Sequence, residues 1–253
     1  CTFVGGESTL GFEQQIAWLT GAALTGGMVE INAADEVSNA RMRAVRERLL
    51  PPLERPARPI DLFQIEAPRI WSLPLEGPAG RWHILGLFNW DESAAQIVSV
   101  AFSALGLDPA AYYTVYDFWP QQYCGTAQAR LDVEVPAGSV RLLGLRRHTE
   151  RPMFLATDRH FTQGVRDHDA ITWDAARYTL EGRFEAAADT DYTVRILVPE
   201  PYEVTDTSVA GQASEPAWED RVLCVRFHCD SGGTTEWRVT CAPPPTRPSE
   251  PGK

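Results

Sequence analysis

The chain has 253 residues, of which 44% are hydrophobic and 23% are charged, so it can bury apolar cores and is not of the disordered class. Its formal net charge of −11 argues against nucleic acid, which requires a basic surface, and fits poorly with an anionic membrane. No apolar run approaches the ~20 residues of a membrane span, and a ligand, if any, is expected to be neutral and small or polymeric.

The only helical patterns lie within residues 8–50. Apolar residues recur near helical spacing from Leu10 to Ala23, with Ser8 or Thr9 as the candidate N-cap. The pair Gly26-Gly27 predicts the end of this helix.

A second helix is predicted to begin after Asp35 or Ser38 and to end at Pro51-Pro52. Met42, Val45 and Leu49 form its apolar face. A run of charged residues is typical of its solvated face: Arg41, Arg43, Arg46, Glu47 and Arg48.

From about residue 58 the pattern is that of β-strands. Residues 81–90 (RWHILGLFNW) are apolar on both alternating sets, as in a central strand of a sandwich, and 89–93 predicts a turn. Strands at this spacing without intervening helices indicate an antiparallel β-sandwich over 58–148. The other predicted strands are Ile60–Phe63, Ile70–Leu73, Ala95–Phe102, Tyr113–Phe118, Ala129–Val135 and Ser139–Leu145.

The polar, proline-containing stretch 146–152 predicts a domain boundary near residue 150, followed by a second β-sandwich-like module over 149–242. Residues 230–233 (DSGG) predict a hairpin turn that joins the last two strands. The tail 243–253 is expected to be a linker or disordered. The predicted strands of this module are Ala170–Trp173, Tyr178–Ala187, Asp191–Val198, Glu203–Val209, Val222–Cys229 and Thr234–Cys241.

The cysteines near the C-terminus allow two hypotheses. A zinc site would need a C-x2-C pair that Cys224, His228, Cys229 and Cys241 do not supply, and alternation places Cys229 in the core. If Gly232-Gly233 form a two-residue turn, Cys224 lies opposite Cys241, where a cross-strand disulfide would fit. Nothing in the sequence implies a metal, a nucleotide or another cofactor.

Three stretches resemble the C-terminal half of the α-galactosidase (melibiase-like) glycoside hydrolases, which join a (β/α)8 barrel to an antiparallel β-sandwich. The first is 3–32 (FVGGESTLGFEQQIAWLTGAALTGGMVEIN) with 46–52 (RERLLPP). The second is 82–91 (WHILGLFNWD), together with 116–119 (YDFW) on a later strand. The third is 159–164 (RHFTQG), followed by Trp173-Asp174.

The resemblance implies that residues 1–57 are the last helical segment of a barrel, ahead of the two sandwich domains. A retaining glycosidase needs two carboxyl groups about 5–5.5 Å apart. In this family both lie on earlier barrel strands, so the catalytic pair is expected upstream of the chain, and catalytic residues are expected to be absent from it. Cys1 and Thr2 stand where the family's chain leaves the last barrel strand beside the sugar, so they are the expected substrate contacts.

Four carboxylates within the chain are candidate catalytic groups, but each has a simpler interpretation. Glu7 is expected to favour the positive end of the following helix, and Glu30 and Asp91 to be turn residues. Asp117 is expected to be the outward member of an alternating strand.

The sequence therefore supports two functional hypotheses. The first is an accessory region of a hydrolase of terminal α-glycosides, which packs on the barrel and exposes Ile16, Trp18 and Leu19 when isolated. The alternative is a non-catalytic carbohydrate-binding or structural sandwich. Its stacking platform would be Trp90, Trp119, Trp173 or Trp237.

Overall fold

The computed structural model describes residues 10–27, 29, 40–214 and 216–243. It divides into two compact units, Cys1–His148 with Asp158–Arg166, and Thr149–Thr157 with Asp167–Lys253. The described part is mainly β, and its strand pairings are antiparallel, which confirms the predicted fold class. No helix in this part is long and apolar enough to cross a membrane. The predicted tail 243–253 lies outside the described residues except for Pro243.

The described residues of the first unit form two helices, α1 (Phe12–Thr25) and α2 (Ala40–Leu49), eight strands and a short 3-10 helix, Phe102–Leu105. Its main sheet has six strands in the order β1-β2-β3-β8-β5-β6, and β4 pairs with β7 in a separate two-stranded sheet. The strands are β1 Arg58–Pro59, β2 Ile70–Gly77, β3 Gly80–Asn89, β4 Gln96–Ala101, β5 Tyr112–Asp117, β6 Gln122–Gln128, β7 Arg130–Val135 and β8 Ser139–Arg147.

In the first unit, one predicted strand, Ile60–Phe63, is wrong, and two strands, β1 and β6, were not predicted. Residues 60–63 form a turn because the buried Asp61 carboxylate accepts hydrogen bonds from the backbone N–H groups of Arg69 and Ile70, each at 3.1 Å. Strand β6 (QYCGTAQ) was missed because it is an edge strand whose small and polar residues give no apolar alternation.

Helix α1 begins and ends at glycines. Gly11 is its N-cap residue, rather than Ser8 or Thr9, which lie outside the described residues. The Gly11 N–H donates to the side-chain oxygen of Gln14 at 2.7 Å. At the other end Gly26 adopts the left-handed conformation (φ 64°), which confirms the predicted stop.

The helices pack on the six-stranded sheet and share one core with it. Ile16 and Leu19 are buried in that core, so the prediction that they form an exposed patch is wrong; only Trp18, at 51% exposure, is open to solvent. Arg46 is also buried, which corrects its assignment to the solvated face of α2. A second core lies on the opposite side of the sheet, beneath the β4–β7 pair.

Glycines on the helix side of the sheet allow this close packing. A Cβ added at Gly86 of β3 would lie 2.5 Å from Leu24 Cδ1, which is closer than non-bonded carbon atoms approach. On β8, a Cβ at Gly144 would lie 2.1 Å from the side-chain oxygen of Gln163. The missing side chains therefore make room for α1 and for the segment that carries Gln163.

That segment, Asp158–Arg166, belongs to the first unit and connects α2 to the sheet. Phe161 N–H donates to Arg48 O at 2.9 Å, and His160 Nε2–H donates to Pro51 O at 3.2 Å. On the sheet side, Trp82 Nε1–H donates to Thr162 O at 3.0 Å. Phe161 itself is fully buried in the core shared by helices and sheet.

The second unit has a five-stranded sheet, β10-β11-β17-β13-β14, and a four-stranded sheet, β15-β16-β12-β9. Phe154, His168, Phe184 and Trp237 contact one another in its core. The strands are β9 Met153–Thr157, β10 His168–Asp174, β11 Thr179–Ala186, β12 Thr190–Leu197, β13 Val204–Val209, β14 Gln212–Ala213, β15 Pro216–Glu219, β16 Val222–Cys229 and β17 Gly233–Cys241.

The predicted hairpin at 230–233 is wrong, because the two strands that it joins lie in different sheets. Strand β16 pairs with β12 and β15, whereas β17 pairs with β11 and β13. Cys224 therefore lies opposite Arg195 and Ala217, and Cys241 lies opposite Val204. Both thiols are free and buried, so the cross-strand disulfide that the sequence left open does not form between them.

Candidate functional site

A cleft of about 410 Å³ opens in the first unit between α1, α2, the end of β5 and the start of β8. Its apolar lining includes Ile16, Val45 and Trp119. Its charged lining is mostly basic: Arg41, Arg48 and Arg141 against Glu13. The cleft is therefore amphipathic and locally cationic in a protein whose formal net charge is −11.

Asp117, at the end of β5, is buried behind this cleft and forms an ion pair with Arg141 at 3.2 Å. Burial raises the pKa of the Asp117 carboxyl to about 6, although the Arg141 guanidinium acts in the opposite direction. The prediction that Asp117 points outward is therefore wrong. Alternation fails here because β5 is a central strand with both faces covered.

The Asp117 carboxyl makes the free energy of unfolding depend on pH. Its folded pKa lies above the ~3.9 of an unfolded Asp, so the stability that protonation confers is lost as pH rises from about 4 through 6. We expect the stability of Asp117→Asn relative to wild type to rise by up to about 3 kcal/mol between pH 4 and 7. Denaturant unfolding of both proteins at each pH measures this difference.

The difference in unfolding free energy between Asp117→Asn and wild type is compared, because His160 titrates in the opposite sense. Burial lowers the pKa of His160 to about 4, so its contribution to stability increases with pH over much of the same range. That contribution is common to both proteins and cancels. Asp132→Asn is the matched control, since hydrogen bonds from Arg130 and Ser99 lower the pKa of this exposed carboxyl. A flat difference for Asp117→Asn, or an equal rise for the control, would contradict the assignment.

Aromatic rings form a stack beside α1. Phe88 and Trp90 lie parallel with centroids 4.8 Å apart, and Trp18 lies against Trp90 at 5.8 Å. The Trp90 indole N–H donates to Pro68 O at 3.0 Å, which holds its ring in place. Trp18 is consequently the solvent-facing end of a supported aromatic stack.

Several residues singled out in the sequence lie outside the described part of the chain. These are Cys1 and Thr2, the expected substrate contacts, together with Glu7 and Glu30. Asp91 is described and is a turn residue, as predicted: its Oδ1 accepts from the backbone N–H of Ser93 at 2.8 Å, and the Ser93 hydroxyl lowers its pKa.

The four tryptophans predicted as stacking platforms differ in solvent exposure. Trp237 is 1% exposed and cannot stack on a sugar, so its candidacy was wrong. Trp90, Trp119 and Trp173 are half-buried, and the Trp119 indole N–H donates to Thr20 Oγ1 at 3.2 Å. Trp218, at 47% exposure, was missed because the short edge strand β15 was not predicted.

In the described part of the chain, one carboxylate lines the cleft and another is buried behind it. Asp117 is held against Arg141, and the carboxylate that lines the cleft, Glu13, belongs to the first turn of α1. Among the described residues, no group of three or more His, Cys, Asp or Glu side chains has the geometry to hold a metal ion. His228 instead contacts three exposed aspartates, with the nearest, Asp191, at 2.9 Å.

A known family model matches part of the first unit. Residues 66–145 match the model of the alpha galactosidase C-terminal beta sandwich domain. The match contains the second resembling stretch, 82–91 with 116–119, and confirms the resemblance there. The first and third stretches lie outside the matched residues. No curated protein matches the chain.

Solved structures of glycosidases are similar to parts of the chain. Alpha-galactosidase I from Mortierella vinacea is 18% identical, with a TM-score of 0.47 over 56% of this chain and 37% of that one. A GH27 β-L-arabinopyranosidase from Geobacillus stearothermophilus is 14% identical (TM-score 0.43; 55% and 31% covered). An isomalto-dextranase from Arthrobacter globiformis T6 is 13% identical (TM-score 0.43; 94% and 46% covered). The chain thus spans less than half the length of each.

Proposed function

We propose, from the match of residues 66–145 to the C-terminal β-sandwich of alpha galactosidases, that the chain is the C-terminal accessory region of a glycoside hydrolase. In the intact protein this enzyme hydrolyses terminal α-glycosides with retention of anomeric configuration. Its catalytic carboxylates lie upstream of residue 1, on the strands of a (β/α)8 barrel. Cys1 and Thr2 contact the sugar where the chain leaves that barrel.

The second part of the proposal is that the first unit packs on the barrel. The exposed Trp18, backed by Trp90 and Phe88, supports this role, since a rigid aromatic surface loses little conformational entropy on docking. The accessory region then stabilises the barrel and supplies no catalytic group. Asp117 is consistent with this accessory role, because it is buried in an ion pair within the sandwich.

Activity of the intact protein tests the proposal. We expect the full-length enzyme to hydrolyse p-nitrophenyl α-D-galactopyranoside and to release the α-anomer of the sugar first, as NMR of the early product measures. The isolated chain of 253 residues is expected to be inactive. Hydrogen exchange of the two samples tests packing: α1 peptides containing Trp18 should exchange more slowly in the intact protein.

Three outcomes would contradict the proposal. Hydrolysis by the isolated chain would place a catalytic pair within it. Early release of the β-anomer would exclude a retaining mechanism. Equal exchange of α1 in both samples would exclude the proposed packing through Trp18.

A further inference from the structure

The outer face of the five-stranded sheet in the second unit carries a groove of about 240 Å³. One row of residues crosses it from strand to strand: Thr172 of β10 pairs with Glu181 of β11, which pairs with Arg238 of β17, which pairs with Ser208 of β13. Directly opposed residues in a sheet point to the same face, so these side chains form a polar ridge across four strands. Within it, Arg238 Nε donates to the Glu181 carboxylate at 3.2 Å.

A second row runs beside the first. Ala170, Arg183 and Glu236 pair in the same way across β10, β11 and β17. Arg183 and Glu236 are exposed, and Arg183 Nε lies 4.0 Å from the Asp169 carboxylate. The groove is therefore flanked by an acid and a base in each row, with both kinds of group accessible to a ligand.

The depression between these side chains has a structural cause. Gly182 and Trp237 are directly opposed partners in the sheet, and both lie between the two rows. Trp237 points to the interior and covers Gly182 there, where an added Cβ would lie 2.4 Å from the indole ring. The floor of the groove is consequently backbone, and the small residues Ala170, Ser208 and Gly211 keep its ends open.

The charge of the lining selects the ligand. Two glutamates and two arginines sum to zero formal charge, in a chain whose formal net charge is −11. An anion would meet the two carboxylates and a cation the two guanidiniums, whereas neighbouring hydroxyl groups can donate to the former and accept from the latter. Carbohydrates are the chief class of neutral biological compounds that carry adjacent hydroxyls.

We propose that this groove binds a short neutral oligosaccharide, whose hydroxyls donate to Glu181 and Glu236 and accept from Arg183 and Arg238. The ring of Trp237 lies beneath the sheet and offers no stacking surface, so hydrogen bonds carry the affinity and a millimolar dissociation constant is expected. This site belongs to the second unit and is independent of the proposed hydrolase activity.

Amide NMR of the full chain tests the proposal. Raffinose and maltotriose serve as neutral trisaccharide probes and trigalacturonate as the anionic one, each titrated to about 20 mM. We expect the amide signals of Gly182 and Trp237 to shift with at least one neutral probe and not with trigalacturonate. Arg183→Gln and Glu236→Gln should each weaken that binding by about tenfold, the loss of a charge-assisted hydrogen bond.

Glu185→Gln is the matched control, because Glu185 is exposed on the same strand and face but outside the groove, where it accepts from Thr234. It should leave binding unchanged. An absence of shifts with both neutral probes would mean that these pairs form only a solvated sheet face, and would overturn the proposal. Stronger shifts with trigalacturonate, or binding that both groove variants leave intact, would overturn it equally.

Discussion

Phe161→Ala is expected to destabilise the first unit by about 3–5 kcal/mol, the usual cost of deleting a fully buried aromatic side chain. Phe161 has no exposed surface and lies in the core that α1, α2 and the six-stranded sheet share. Its backbone N–H also donates to Arg48 O near the end of α2. The substitution should therefore loosen α2 first. Denaturant unfolding followed by circular dichroism gives the free energy, and hydrogen exchange of α2 peptides gives the location.

Phe63→Ala is the matched control, because Phe63 is 98% exposed and its truncation should change stability by less than about 0.5 kcal/mol. Peptides of the second unit, such as those of β12, should exchange at the wild-type rate in both variants. A Phe161→Ala protein as stable as Phe63→Ala would show that the segment Asp158–Arg166 does not hold the helices to the sheet.

The role of that segment explains where sequence interpretation succeeded and where it failed. Apolar runs such as 81–90 predicted strands well, because a strand buried on both faces has a local signature. Contacts distant in sequence leave no such signature. The bonds of His160 and Phe161 to Pro51 and Arg48 join residues more than a hundred positions apart, so the sequence did not reveal this partner of α2 within the chain.

The turn at 230–233 shows that a local sequence signal does not determine which strands pair. Its Gly-Gly pair predicts a reversal of the chain, but a turn does not specify whether the next strand pairs with the previous one or joins a second sheet. Strand β17 crosses, and its neighbours become β11 and β13. The groove was unpredictable for this reason, since its rows exist only once β11 and β17 are adjacent.

Trp237→Ala is expected to cost the second unit about 3–5 kcal/mol, because it removes a large side chain that is 1% exposed from the sandwich core. The indole packs against Phe154 with centroids 6.3 Å apart, covers Gly182, and donates its N–H to His168 Nε2 at 2.9 Å. Alanine leaves a cavity at the centre of this cluster. Denaturant unfolding measures the loss, and hydrogen exchange should show lost protection in β11 and β17.

Trp218→Ala controls for the loss of an indole as such, since Trp218 is 47% exposed on the edge strand β15. Its truncation should cost less than about 1 kcal/mol, because most of the buried apolar contact is absent there. Trp237→Phe should fall between the two, as it keeps an aromatic ring over Gly182 but loses the hydrogen bond to His168. If Trp237→Ala instead leaves stability unchanged and weakens only sugar binding, Trp237 is a stacking platform after all, and the buried position assigned to it is wrong.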